Sequence, residues 1–118
     1  MVAAPATLRT ATPEDAGPLL ELQRGIYQEG TAFVGDGPPS LEALARRLRT
    51  LDPELSLYLV AEGPVGTLWG WLELHRHLPR RLRHVAVLTL AVSAAARRRG
   101  LGRALLRAAY GWAREVGV

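Results

Sequence analysis

The spacing of apolar residues changes several times along this chain, and each change marks a predicted element. Apolar residues recur at a helical period along amphipathic helices and at every second position along half-buried strands. The sequence predicts strands over residues 7–11, 55–61, 65–74 and 83–92, and helices over residues 12–27, 40–51 and 100–116. The resulting order, β-α-α-β-β-β-α, predicts one α+β domain spanning residues 1–118.

Proline and glycine positions refine three of these elements. Pro18 lies inside the first helical segment and cannot donate an internal hydrogen bond, so we expect a kink or a late helix start there. Gly66 and Gly70 in the third strand predict bulges. The fourth predicted strand is almost continuously apolar from Val85 onward, which predicts a strand buried at the centre of the sheet.

The composition supports a folded domain and excludes several classes of protein. Apolar residues make up 48% of the 118 residues, which is enough to form a core. The chain contains no cysteine, so a disulfide scaffold, a thiolate metal site and a cysteine nucleophile are excluded. No apolar run approaches the ~20 residues of a membrane span, and residues 1–6 lack the pattern of a signal peptide. We therefore expect a soluble, cytoplasmic protein without a membrane partner.

The charge balance is basic and is carried by arginine alone. The sequence has 15 basic residues, all arginine, and 11 acidic residues, for a formal charge of +4. Arginine clusters occur over residues 80–83 and 97–103. The first cluster is typical of a solvated turn, with steering of an acidic substrate as the alternative. Neither cluster contains interleaved aromatic residues and no helix has a basic face, so nucleic-acid binding is the least favoured function.

Residues 90–104 combine the end of an apolar strand, a basic turn and a glycine-containing helix start. Gly100 and Gly102 allow a ligand to approach the backbone, and the free N–H groups of a helix start favour an anion. The segment therefore predicts a pyrophosphate-binding turn. A P-loop is excluded because it requires lysine. A Rossmann fingerprint is disfavoured because its third glycine would fall at Leu105 and the chain ends before the required acidic residue.

The same segment resembles the acetyl-CoA-binding motif of the GNAT acetyltransferase superfamily, Val-x-Pro-x-x-Arg/Gln-x-x-Gly-x-Gly/Ala. Val92, Arg97, Gly100 and Gly102 match this motif, and Ala94 replaces its proline. The resemblance extends to three other stretches, which look like the family's first strand and helix, its second and third strands, and its first acceptor-side loop: residues 7–15, 59–66 and 29–40. It implies a GNAT-like fold, with a mixed, mostly antiparallel sheet flanked by helices.

The resemblance also implies acetyl-CoA as co-substrate. Backbone groups at Leu90 and Val92 would bind the pantetheine arm, and an N–H near Leu90 or Ala91 would polarise the thioester carbonyl. Backbone N–H groups over residues 98–104 would bind the pyrophosphate. The expected cofactor-binding residues are Leu90, Ala91, Val92, Arg97, Arg98, Arg99, Gly100, Leu101, Gly102, Arg103 and Ala104.

An attacking amine must lose a proton, so the site needs a base. Many family members carry a glutamate on the central strand about four residues before the cofactor contacts, but residues 84–88 contain no carboxylate. Glu73 on the neighbouring strand is the predicted substitute, with a solvent-facing surface role as the alternative. His75, His84 and Glu29 are the next candidates.

The acceptor pocket is predicted from residues near the acceptor-side loop and the third strand. Glu29, Phe33 and Trp69 are the candidates, with core packing as the alternative for the two aromatic residues. His75 and His77 alternate across a strand end and have no third ligand nearby, so we expect no metal site.

The sequence therefore predicts an acetyl-CoA-dependent N-acetyltransferase that acetylates a primary amine of a small molecule or a protein N-terminus. A non-catalytic acyl-CoA-binding module is the alternative. The family normally continues past the motif helix with a fifth strand, a helix and further strands. That helix normally carries a tyrosine that protonates the CoA thiolate, and Tyr110 is not its equivalent. We therefore expect either a fragment of a longer enzyme or a homodimer or strand-exchanged oligomer.

Overall fold

The structure is a computed structural model that describes residues 6–29, 40–76 and 80–118. Its elements follow the predicted order β-α-α-β-β-β-α. Phe33 and His77 lie outside the described residues. The elements are β1 (Thr7–Thr10), α1 (Ala16–Gln28), α2 (Leu41–Arg49), β2 (Ser56–Glu62), β3 (Leu68–Arg76), β4 (Ala86–Val92) and α3 (Leu101–Val116).

The four described strands form one sheet in the order β1-β2-β3-β4, and each neighbouring pair is antiparallel. The alternation of side chains along a strand sends successive residues to opposite faces. On one face Tyr58, Val60 and Trp71 pack with α1 and α2. On the other face Leu59 and Leu72 pack with α3. The sheet therefore has an α1/α2 face and an α3 face, each with its own core.

The first helix starts late, as the position of Pro18 predicted. Pro13–Asp15 form a short 3-10 turn, and α1 begins at Ala16. Pro18 therefore lies in the first helical turn, where a backbone N–H would have no intrahelical partner. The carboxylate of Asp15 accepts two hydrogen bonds of 2.7 Å from the Arg9 guanidinium, which connects β1 to the helix start.

The third strand begins at Leu68 rather than at Val65 as predicted. Val65 and Gly66 lie in a short turn with φ angles of 60° and 72°. The prediction of a bulge at Gly66 is therefore wrong, because that glycine lies in the turn before β3. The pairing of β2 with β3 does slip by one residue: Ala61 pairs with Gly70, but Glu62 pairs with Leu68. Trp69 is the extra residue, directly beside Gly70.

The prediction that the fourth strand is buried at the centre of the sheet is wrong for the described residues. There β4 pairs only with β3 and lies at the edge. Val87 is 56% exposed and Leu88 is 39% exposed. Because these neighbours point to opposite faces, β4 has an exposed apolar side chain on each face of the sheet. An apolar run shows that a strand suits burial, but it does not determine which neighbours cover it. Within the described part of the chain, no helix is long and apolar enough to cross a membrane.

Candidate functional site

The start of α3 and the turn before it form a groove. Gly100 has a φ angle of 77° and precedes the helix, and the N–H of Ala104 makes the first helical hydrogen bond, to the Gly100 carbonyl. The N–H groups of the first turn therefore have no partner inside the helix. The groove has a volume of about 420 Å³ and is lined by Val92, Ala96, Arg97, Arg98, Gly100, Leu101, Gly102, Arg103 and Leu106.

The absence of a side chain at Gly102 keeps this groove open. A Cβ placed at Gly102 would have Leu90 Cδ2 as its nearest neighbour, at 4.0 Å. The position therefore faces open space rather than packed protein. Arg98 and Arg103 are exposed beside it and add positive charge. Unpaired N–H groups, a helix start and guanidinium groups together suit a pyrophosphate.

Two of the predicted cofactor arginines already have partners within the protein. The Arg97 guanidinium donates to both Glu29 carboxylate oxygens, at 2.9 and 2.7 Å, and its Nε donates to the Val92 carbonyl at 3.0 Å. The Arg99 guanidinium stacks over the Trp69 ring, 4.8 Å from its centroid. The structure thus places Glu29 beside the turn before α3 rather than beside Glu73.

The hydrogen-bond phase of β4 determines which of its backbone groups reach the open edge. The N–H of Ser93 donates to the Trp69 carbonyl at 2.7 Å, so Ser93 turns its backbone toward β3. Backbone groups of alternate residues point the opposite way in an antiparallel strand. Leu90 and Val92 therefore direct their N–H and C=O groups to the edge, whereas Ala91 directs its own toward β3. Of the two predicted oxyanion donors, only Leu90 offers its N–H to this edge.

A polar cluster lies on the α1/α2 face of the sheet, centred on Glu73. The Glu73 side chain is only 13% exposed. Its Oε1 accepts from the Trp71 indole at 3.2 Å. Its Oε2 lies 3.1 Å from Arg47 Nη2 and 3.0 Å from His75 Nε2. The second ring nitrogen of His75, Nδ1, lies 2.9 Å from Ser56 Oγ.

The environment of Glu73 keeps its carboxylate ionised. Burial raises the pKa of Glu73, but the His75 hydrogen bond, the Arg47 charge and the Tyr58 hydroxyl outweigh burial, so the net pKa is lowered. The pKa of Tyr58 is raised by burial and by the nearby Glu73 charge. The Tyr58 hydroxyl also accepts from Gln23 at 2.9 Å.

The register of β3 and β4 places this cluster beside residues 87–89 of β4. Glu73 pairs with Thr89, and His75 pairs with Val87. Directly opposite residues share a face, so Thr89 and Val87 lie on the α1/α2 face with Glu73 and His75. Thr89 immediately precedes Leu90, whose backbone faces the edge. The cluster is therefore next to the edge at which the thioester is expected.

The remaining candidates are not part of this cluster. Trp69 packs on the α3 face with Ala61, Ala96 and Leu101. His84 is exposed in the turn before β4. In the described ranges, no group of three or more His, Cys, Asp or Glu side chains is arranged to hold a metal.

Sequence reasoning missed Arg47 and Ser56. Arg47 lies between the buried Leu44 and Leu48 on α2, and its helical position alone gave no sign that it reaches β3. Ser56 is the first residue of β2, where a serine ordinarily indicates only a strand boundary. Their contacts with His75 span 28 and 19 residues of sequence, so no local pattern contains them.

The comparisons with known proteins identify the family. The profile of the Acetyltransferase (GNAT) family matches residues 19–118. No curated protein sequence matches this chain.

Several solved structures share the fold, and each is longer than this chain. A GNAT-family acetyltransferase from Streptococcus pneumoniae is 24% identical, with a TM-score of 0.84, over 96% of this chain and 70% of that one. A ribosomal-protein-alanine N-acetyltransferase from Brucella melitensis is 28% identical, with a TM-score of 0.81, over 95% and 69%. A phosphinothricin acetyltransferase from Sinorhizobium meliloti, solved with acetyl-CoA, is 29% identical, with a TM-score of 0.78, over 92% of this chain and 59% of that one. The family profile, together with the glycine turn at the start of α3, shows that this chain belongs to the GNAT family of acetyltransferases.

Proposed function

We propose that this protein transfers an acetyl group from acetyl-CoA to a primary amine of a small molecule or a protein N-terminus. The observation that carries the proposal is the groove at the start of α3, which opens beside the backbone groups that Leu90 and Val92 direct to the strand edge. A turn that binds pyrophosphate and a strand edge that pairs with an amide-containing arm together suit a CoA thioester. Two similar structures, from Sinorhizobium meliloti and Salmonella typhimurium, contain acetyl-CoA.

Three parts of acetyl-CoA have a complementary region in the described residues: the pyrophosphate, the pantetheine arm and the thioester. The N–H groups of residues 101–103 and the exposed Arg98 and Arg103 suit the pyrophosphate. The edge groups of Leu90 and Val92 suit the pantetheine amides. The Leu90 N–H suits the thioester oxygen, on which negative charge develops as the amine attacks.

The reaction needs no covalent enzyme intermediate. The amine nitrogen attacks the thioester carbonyl carbon and then loses its second proton to solvent, the C–S bond breaks, and the CoA thiolate takes a proton from solvent. The attacking nitrogen must be neutral, so a proton has to leave the ammonium form first. In this proposal Glu73 is the carboxylate that neutralises the ammonium before its proton leaves, because its cluster borders Thr89 beside the reacting edge.

A non-catalytic acyl-CoA-binding module is the second candidate. The observation that favours it is that both carboxylate oxygens of Glu73 already have partners within the protein. These partners are Trp71, Arg47 and His75. A carboxylate surrounded by internal donors has little room for an amine unless one donor moves.

One experiment separates the two candidates. Acetyl-CoA binding is measured by calorimetry, and release of free CoA thiol is measured with a panel of primary amines and N-terminal peptides. The acetyltransferase proposal expects binding together with amine-dependent thiol release. Binding without release for every acceptor would instead support the binding module, and the absence of binding would contradict both.

A further inference from the structure

The cationic guanidinium of Arg47 lies between Glu73 and His75, the carboxylate and the imidazole best suited to bind an amine and take its proton. Its Nη2 lies 3.1 Å from Glu73 Oε2 and 2.6 Å from His75 Nε2. Those two acceptor atoms are themselves 3.0 Å apart. A single nitrogen of the guanidinium therefore lies within hydrogen-bond distance of both a carboxylate oxygen and an imidazole nitrogen.

The contacts of His75 Nε2 with Glu73, at 3.0 Å, and with Arg47, at 2.6 Å, require different tautomers of the ring. A guanidinium has N–H donors and no acceptor, so the contact with Arg47 requires Nε2 to accept with its lone pair. The ring proton then lies on Nδ1, which donates to Ser56 Oγ at 2.9 Å. If Nε2 were protonated, it would donate to Glu73 and repel the guanidinium. Nε2 therefore cannot carry a proton while it accepts a hydrogen bond from Arg47.

Arg47 is the member of the cluster with the most freedom to leave. Its side chain is 48% exposed and lies on the last turn of α2, whereas the Glu73 side chain is 13% exposed. A primary ammonium carries the same positive charge and the same type of N–H donor. An ammonium in place of Arg47 Nη2 would therefore satisfy both Glu73 and His75 without any change in β3.

We propose that the acceptor amine binds as its ammonium between Glu73 Oε2 and His75 Nε2 in place of the Arg47 guanidinium, and that His75 Nε2 takes its proton. This inference rests on the proposed acetyltransferase function and identifies the ammonium site and the proton acceptor. The N–H bond breaks, its electron pair stays on the amine nitrogen, and the proton joins the Nε2 lone pair. The amine becomes neutral and the new imidazolium donates to Glu73.

The surroundings of His75 suit this proton transfer. Among the described residues, the charged or titratable groups that contact or border it are Glu73 on its own strand, Arg47 from α2, and Tyr58 from β2 through Glu73. Val87 on β4 and Ser56 on β2 contribute no charge. When Arg47 leaves, Glu73 is the neighbouring charge, and it stabilises the imidazolium. Neutral imidazole is a general base of suitable strength near neutral pH.

Nuclear magnetic resonance of the His75 ring nitrogens tests ammonium binding without any turnover. n-Butylammonium chloride should shift the Nε2 resonance, whereas tetramethylammonium chloride, which has no N–H, should not at equal ionic strength. Arg47→Met removes the competing cation and keeps the aliphatic stem, so the response to n-butylammonium should appear at several-fold lower concentration. The exposed His84 is the internal reference. An unchanged or weaker response in Arg47→Met, or equal shifts with both salts, would overturn the proposal.

Kinetics test the proton transfer. His75→Gln should lower turnover by about 10²-fold, with unchanged acetyl-CoA affinity. Arg47→Met should lower the amine KM several-fold. If acetyl-CoA binds and amines are acetylated but His75→Gln keeps more than a third of the turnover, His75 is not the acceptor and the proposed function still stands. Failure of acetyl-CoA to bind would contradict the proposed function, while the resonance titration would still decide on the ammonium site.

Discussion

Glu29 holds Arg97 against the Val92 carbonyl of β4. Glu29 directly follows α1, and both of its oxygens accept from Arg97 Nη2, at 2.9 and 2.7 Å. The same guanidinium donates through Nε to the Val92 carbonyl at 3.0 Å. That carbonyl faces the edge at which the pantetheine arm is proposed to bind. The ion pair therefore occupies a group that the co-substrate needs.

Glu29→Gln should tighten acetyl-CoA binding by about two- to fivefold, because a half-exposed ion pair contributes on the order of 1 kcal/mol or less. The change weakens the hold on Arg97 and releases the Val92 carbonyl more easily. Calorimetry measures the effect. Glu42→Gln, in the first turn of α2, removes the same charge away from the groove and is the matched control. An equal gain in both variants would show that only net charge matters.

Gly102→Glu should abolish acetyl-CoA binding. The new side chain would enter the groove, since its nearest neighbour there is Leu90 Cδ2 at 4.0 Å, and its charge would face the pyrophosphate. Gly111→Glu is the control: it lies on the same helix, is exposed and has no atom within 4 Å of a new Cβ. Calorimetry that finds equal affinity for the two variants would contradict the cofactor assignment.

Glu73→Gln should lower turnover by about 10²-fold or more at nearly unchanged acetyl-CoA affinity. Glutamine keeps the shape of the side chain but cannot neutralise a bound ammonium or an imidazolium. Steady-state kinetics with Glu115→Gln, exposed near the end of α3, provide the comparison. A loss of less than threefold at every pH would leave Glu73 with a structural role alone.

Asp15→Asn should lower the free energy of unfolding at pH 7 by about 1–3 kcal/mol, since it removes the charged partner of a part-buried guanidinium. The Arg9 hydrogen bonds lower the pKa of Asp15 below its ordinary value of 3.8. The wild-type stabilisation is therefore complete above pH 3.8 and is lost as the pH falls through the lowered pKa. Denaturant titrations at pH 7 and in acid should show the two proteins converging. A constant difference would contradict this account.

We propose that the β4 edge lets copies of this chain self-associate, because in the described part of the chain β4 pairs only with β3 and Val87 is 56% exposed. Light scattering should show association that grows with protein concentration. Val87→Lys should reduce it, since a charge on an edge strand disfavours pairing. Val65→Lys, fully exposed in the turn before β3, is the control. A monodisperse monomer at all concentrations would contradict the proposal.

The sequence determined the features that depend on near neighbours. The order of elements follows from apolar spacing, because a helix or strand repeats within a few residues. The late start of α1 follows from Pro18, which suits only the first turn. The turn at Gly100 and Gly102 was recognisable because its backbone requirements are local: a positive φ at Gly100 and open space at Gly102.

Only the tertiary structure decided the features that depend on pairing between distant segments. The apolar pattern of β4 was compatible with the centre or the edge of a sheet, since burial potential does not specify neighbours. Glu73 was predicted from its place on the third strand alone, yet its side chain contacts Arg47, 26 positions earlier, and lies on the face that the β3 register assigns to it. A shift of one residue would turn Glu73 and His75 to the α3 face. The site therefore exists only once register and helix packing have brought α2, β2 and β3 together.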